Sequence, residues 1–185
     1  MSLLFRILAV FGLIALMAPA ASATTIIARS EAELVGLSDA VVVAKVVAVA
    51  VEMTPDGPQT RNTLQVSQWW SGDGPERIDV LQWGGAWDNK MYRIPGDLEL
   101  EVGDRVVAFL KHDKGLYFST LFGWSVFDVA GTGADATVQR HDDHFGLMRR
   151  NKEGVIAPVD PALILPPKTL SELKRRVDAA TGGAQ

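Results

Sequence analysis

The sequence predicts an all-β domain, a small antiparallel barrel or sandwich with one short helix before it and one amphipathic helix after it. Three observations carry this expectation. At least six short runs of strand character lie between residues 40 and 140. Turn residues, chiefly Gly, Pro and Asp, interrupt them roughly every 8 to 12 residues. Helical spacing is confined to the two ends of the domain, unlike the alternating pattern of a parallel βαβ sheet.

The opening stretch "MSLLFRILAVFGLIALMAPAASA" reads as a secretory signal peptide rather than as part of the fold. Arg6 precedes an apolar run over residues 7–17, Pro19 follows, and Ala21 and Ala23 supply the small side chains that a signal peptidase needs. Cleavage is expected after Ala23. The apolar run is shorter than the roughly 20 residues that span a bilayer, so no stable membrane insertion is expected after cleavage; a retained anchor is the competing reading. The chain has no cysteine, hence no lipidated cysteine at the cleavage site and no disulfide. The mature chain is expected in the periplasm or outside the cell.

Removing residues 1–23 from the 185-residue chain leaves 162 residues, enough for one domain. A domain of that size buries about 70% of its unfolded surface. The signal segment holds one of the 18 Lys and Arg residues and none of the 22 Asp and Glu residues, so the remainder carries a net charge of −5. That balance speaks against a nucleic-acid partner, which requires clustered excess cation. The expected organisation is a signal peptide over 1–23, a β-barrel domain with its N-terminal helix over 24–166, and a helix and tail over 167–185.

In "SEAELVGLSDA", Ser30 is a candidate N-cap with Glu33 three residues on, the capping-box spacing, followed by Leu34 and Leu37. A short helix fits. "AVVVAKVVAVAVEM" is a long β-branched strand ending at "TPDGP", where Pro55, Asp56, Gly57 and Pro58 supply a turn. Its nearly unbroken apolar character implies burial on both faces or a curved strand shared by two sheets, with Lys45 reaching solvent. "RNTLQVSQWWSG" and "ERIDVLQWGG" are strands joined by "SGDGP". After a polar, glycine-containing loop, "YRIPGDLELEVGDRVVAFLKH" gives two extended pieces with turns at Pro95-Gly96 and Gly103-Asp104, and "RVVAFL" is expected as a central strand. "LYFSTLF", "SVFDVA" and "ATVQRHD" complete the strands. Thr169 or Ser171 then opens a helix with Leu170, Leu173 and Val177 on one face and Lys174, Arg175 and Arg176 over the other, stopped by Gly182 and Gly183.

The succession "LSDAVVVAKVVAV", "TLQVSQWWSGD", "GDRVVAFLK", "GLYFST" and "GWSVFDV", over roughly residues 34–130, resembles exported bacterial proteins of unknown function whose barrels look like OB-folds, in the manner of netrin-like and TIMP-like domains. The resemblance implies an OB-like barrel and brings no catalytic residue with it. TIMP-type inhibitors resemble a cysteine-stapled wedge whose amino-terminal cysteine meets a protease metal. Here the mature chain starts at Thr24, so inhibition is not carried over.

The stretch "RHDDHFG" contains two of the three histidines. An extended backbone sends His141 and Asp143 to one face and Asp142 and His144 to the other, so all four cannot ligate one ion from a regular strand. A turn can gather three. Imidazole with carboxylate suits zinc or nickel, but neither an H-E-x-x-H helix nor a cysteine pair accompanies it, and a polar loop is the plainer reading. No cofactor is expected unless zinc enters through this set. His112 beside Asp113 sits in "KHDKG", a turn composition. Ser71, Ser119 and Ser125 lack the G-x-S-x-G pattern of a nucleophile elbow. The basic "KRR" of the last helix reads as a solvated face.

The five tryptophans are more informative, because Trp69, Trp70, Trp83 and Trp87 fall within 19 residues and Trp124 stands apart. At least one of the adjacent Trp69 and Trp70 faces outward if their strand is regular. The plainer reading is that these rings, Trp87 included, cover the open ends of the barrel, above all Trp83 and Trp124 in their strongly patterned strands. Trp87, in "GGAWDNKMY", is the ring expected to meet a sugar, a peptide or a partner protein. The expected contact surface is residues 69–92, with Trp70, Trp87, Asp88, Asn89 and Tyr92 as binding residues. The function expected is an exported, non-catalytic binding or protein-interaction module of the cell envelope, with an unidentified protein, peptide or glycan as partner. A metal-binding protein or metal-dependent enzyme using His141, Asp142, Asp143 and His144 is the alternative, and a structural envelope protein the third reading.

Overall fold

The computed structural model describes residues 24–141, 145–151, 153–160 and 164–182. The signal segment with its cleavage site lies outside the described residues, as does Gly183.

The β-branched run forms the strand on which the sheet is built. β2 (Ala40–Thr54) pairs with β3 (Gly57–Ser71) along nearly its whole length and with β7 (Arg105–Asp113) over residues 40–45. β3 pairs with β4 (Arg77–Trp83), and β7 also pairs with β8 (Leu116–Gly123) and β9 (Val126–Ala130). β8 meets β4 at Val80 and Leu81, and β10 (Thr137–Arg140) pairs with β9. Each of β2, β3, β4, β8 and β7 therefore has two neighbours among those five. A smaller sheet joins β1 (Thr25–Ile27), β11 (Gly146–Arg150) and β12 (Ile156–Pro158), and β5 (Gly85–Trp87) pairs with β6 (Lys90–Tyr92). The described chain is mostly strand, with two helices, α1 (Glu31–Leu37) and α2 (Leu170–Gly182).

Side-chain alternation along β2 divides the core in two. Ala40, Val42, Ala44 and Val46 join one buried cluster with Leu64, Val80, Val106 and Leu110. Val41 and Val43 point the other way, into a second cluster with Val107, Phe109 and Phe127. Burial on both faces, expected from the apolar run, holds for residues 40–44, and Lys45 reaches solvent. Past Val46 the strand leaves the core, and Val47, Val49 and Met53 are exposed.

The helices close the second cluster with Leu34, Leu173 and Val177, all fully buried. Ser30 and Glu33 form the expected capping box on α1. The Thr169 hydroxyl accepts the Glu172 N–H at 3.2 Å at the start of α2. A buried ion pair fixes both helices to the sheet. Arg140, at the end of β10, donates to Glu31 of α1 at 2.8 Å and to the Trp124 carbonyl. Its guanidinium carbon lies 3.9 Å from the Trp124 ring centroid and 4.5 Å from that of Phe127. Arg176 of α2 reaches the second Glu31 oxygen at 3.1 Å and Glu172 at 2.7 Å. Burial lowers Arg140 to about 10, only partly opposed by the Glu31 charge.

Several details depart from the sequence reading. The barrel or sandwich was expected to be antiparallel, yet β4–β8 and β1–β11 pair in parallel. Only Pro55 and Asp56 form the hairpin turn; Gly57 and Pro58 already belong to β3, where Pro58, at the strand's beginning, uses its carbonyl to accept the Gly84 N–H at 2.8 Å. His112 and Asp113 lie in β7, and Lys114-Gly115 make the turn with φ of 50° and 84°. The basic face of α2 is not simply solvated, since Arg176 serves the buried pair and Lys174 meets Asp178 at 2.7 Å.

Removing one partner strands a buried charge, whereas removing both removes the desolvation cost as well. Glu31→Gln is expected to destabilise the protein by about 3 to 5 kcal/mol. The pair Glu31→Leu with Arg140→Met should lose less than Glu31→Gln alone. Urea unfolding of the single and double variants checks this, and a double variant at least as unstable as Glu31→Gln would rule it out.

Candidate functional site

The site begins where β4 runs out of neighbours. Its pairing with β8 ends at Leu81, so Trp83, two residues on and on the same strand face, has no flanking strand on that side among the described residues and is 41% exposed. Trp124, by contrast, is 2% exposed. Beyond Trp83 the chain turns through Gly84 and Gly85, at φ of 90° and 134°. A side chain at Gly85 would collide with Val51 and Thr60, so glycine lets the β5–β6 hairpin lie against the outer half of β2 and β3. Asp88 and Asn89, at φ of 49° and 57°, form its two-residue turn, and both types tolerate the left-handed region. What read as a polar loop is a small hairpin.

The chain returns over residues 93–104 as a cover on the inner cluster. Leu98 and Leu100 are buried while Glu99 and Glu101 face out. Asp97 anchors this cover, its carboxylate accepting the Leu98 N–H at 2.8 Å and the Trp83 N–H at 3.1 Å. Burial pushes the Asp97 carboxyl above the usual aspartate range, against the downward pull of those two amides. Gly96 fits because a Cβ there would overlap the Phe145 ring.

A cleft of about 270 Å³ remains between this cover, the hairpin and the outer half of β2. Val49, Val51, Trp83, Met91, Tyr92 and Ile94 give it an apolar wall. Trp83, Met91, Tyr92 and Ile94 are all substantially exposed, and Trp87 is exposed on the adjoining hairpin at 40%. Arg93 and Glu99 pair at 2.6 Å beside it. The surface offers apolar contact area with charges at its rim, and its backing is fixed by strand pairing and by Asp97.

The residues expected to bind divide between two places. Tyr92 lines the cleft, and Trp87, Asp88 and Asn89 sit at the hairpin tip. Trp70 is elsewhere, packed against the second cluster, with its Nε1 donating to Gln68 at 2.9 Å and the Lys174 ammonium 5.9 Å from its ring. Its neighbour Trp69 turns to the other cluster, its ring 6.3 Å from that of Tyr117. Trp83, Met91 and Ile94 were missed. The signal available was the end of the alternating pattern in "DVLQWGG", where a large ring precedes two glycines.

His141 has both ring nitrogens engaged. Nε2 accepts the Glu99 N–H at 3.1 Å, which places the proton on Nδ1, 2.9 Å from Asp128. Metal ligation through His141 requires breaking one of these bonds. Asp142, Asp143 and His144 lie outside the described residues. Among the described residues no three His, Cys, Asp or Glu side chains gather where they could hold a metal ion. His112 stacks on Tyr117 with centroids 4.5 Å apart, and the Ser125 hydroxyl accepts the Leu121 N–H and donates to Phe122 within its turn.

Set beside known protein families, curated proteins and solved structures, the chain matches none.

The raised Asp97 carboxyl has a defined linkage to pH. A folded-state pKa above the unfolded one stabilises the fold below the unfolded value and loses that contribution as pH climbs through the folded value. The stability of the protein relative to Asp97→Asn is therefore expected to fall as pH rises from below the ordinary aspartate range through the higher folded-state value. Urea unfolding across that range tests it, and a pH-independent difference would contradict the assignment.

Proposed function

We propose that the chain is an exported, non-catalytic binding module built on an OB-like barrel, and that it takes an extended segment of a partner polypeptide along the free edge of β2. The barrel reading is supported by the closed succession of pairings β2, β3, β4, β8, β7 and back to β2, with β4 and β8 parallel. The resemblance to exported bacterial proteins with OB-like barrels points to the same architecture, and export rests on the signal-like opening residues.

One observation carries the binding mode. β7 stops pairing with β2 at Lys45, and the loop residues Gly103 and Asp104 take the backbone of Val46 at 2.9 and 2.8 Å. Over residues 47–53 no strand among the described residues pairs with that edge. This edge is apolar, β-branched and directly beside the aromatic cleft, since Val49 and Val51 line it. An unpaired edge offers main-chain hydrogen bonds to an added strand, and neighbouring pockets receive its alternate side chains. Trp83 and Tyr92 supply large, stiff anchoring surface. Such binding needs no proton transfer and no cofactor.

Peptides selected from a random displayed library against residues 24–185 are expected to bind through this edge. Trp83→Ala with Tyr92→Ala should weaken them by about ten-fold or more. Methylating alternate peptide nitrogens in the phase that faces β2 should abolish binding, while the opposite phase is tolerated. Peptides indifferent to both changes, or displacement of them by glycans alone, would overturn the reading.

A further inference from the structure

We propose a second site, independent of the β2 edge: a pocket around Arg140 that takes an amphipathic anion, an apolar chain ending in a carboxylate or phosphate. Two clefts meet at this residue. One, of about 390 Å³, is walled by Trp124, Val138, Leu147, Ile164, Pro166 and Pro167, with Lys168 also lining it. The other, of about 220 Å³, is lined by Arg29, Arg149 and Arg176 with Glu31. Arg140 and Ile164 line both. The larger cleft falls within the usual size of small-molecule pockets, and its composition suits a hydrocarbon rather than a sugar.

The polar end is defined by what remains unpaired. Arg140 is 5% exposed, and its Nη1 and Nη2 have partners in Trp124 and Glu31, but its Nε is buried without a hydrogen-bond partner. The Trp124 and Phe127 ring faces attract the cation yet offer no lone pair to that N–H. A buried donor left unsatisfied is rare and points to a missing acceptor. Around it, Arg29 is matched by Glu33 and Arg176 by Glu172 and Glu31. Arg149 and Lys168 have no ion-pair partner among the described residues. An unmatched cation in each cleft, Lys168 in the larger and Arg149 in the smaller, with an unsatisfied guanidinium N–H on the residue they share, calls for one negative head on an apolar body.

Calorimetric titration of residues 24–185 tests this with decanoate below its micelle concentration, decan-1-ol as the uncharged counterpart and decyltrimethylammonium as the cationic one. Decanoate is expected to bind one per chain, about ten-fold or more tighter than decan-1-ol, since the hydrogen bond is to a charged donor. Arg149→Gln with Lys168→Gln should weaken decanoate several-fold and leave decan-1-ol unchanged. Ile164→Trp, which fills the wall shared by the two clefts while leaving Arg140 and Glu31 themselves unchanged, should abolish binding. Trp83→Ala should leave it intact, which separates this pocket from the β2 cleft. The proposal fails if decanoate does not saturate, if the alcohol or the ammonium binds as tightly, or if Trp83→Ala removes binding while Ile164→Trp does not.

Discussion

The Arg140 guanidinium meets Glu31 across 109 positions of sequence, in a site that water scarcely enters. Its charge is held by one carboxylate, one carbonyl and two ring faces, and burial still outweighs the attraction, which is why its pKa falls. Such a pair adds little net stability beyond what apolar side chains of the same size supply, but it is strongly directional. It sets where α1 sits on the sheet, and through Arg176 where α2 sits on α1. The cover that Leu34, Leu173 and Val177 place on Phe109 and Phe127 depends on that placement.

The opposite half of the molecule is organised by β2 in a different way. While flanked by β3 and β7 the strand is core on both faces; once β7 stops, it becomes a projecting ribbon with one bare edge. The cleft exists because three separate pieces converge on that ribbon: the hairpin that glycine brings close, the cover held by Asp97, and the end of β4 at Trp83. His141 joins the halves, one nitrogen on the cover at Glu99 and the other on Asp128 of β9. The histidine that the sequence offers as a metal ligand thus also bridges the cover and β9.

Local chemistry was legible from the sequence and convergence was not. Ser30 with Glu33 determines a helix start through its own hydrogen bonds, and the β-branched side chains at 40–54 suit a pleated, packed strand. The strand at "RVVAFL" follows from its apolar pattern in the same way. By contrast, the exposure of Trp83 follows from where β8 ends, which no residue near Trp83 encodes. The separation of Trp70 from Tyr92 follows from where the β5–β6 hairpin folds back, against Val51 and Thr60, at the opposite end of β3 from Trp70. In "RHDDHFG" the histidines drew attention as ligands, yet the side chain with the greatest structural consequence is the arginine before them. Its partner, Glu31, reads as an ordinary first-turn acid until the fold brings them together.

The pairing of β1 bears on the order in which the molecule is made. Thr25, Ile26 and Ile27 find their strand partners only at Gly146, Leu147 and Met148, and Glu31 waits for Arg140 and Arg176. A growing chain can complete the β2–β3 hairpin early, from neighbours in sequence, whereas its first strand and the buried acid of its first helix lack their partners until the last quarter has emerged. Until then Val41, Val43, Val107 and Phe109 form a greasy open face on a half-finished protein. The beginning of the chain is thus the last part to settle, and any truncation near residue 140 leaves that face bare.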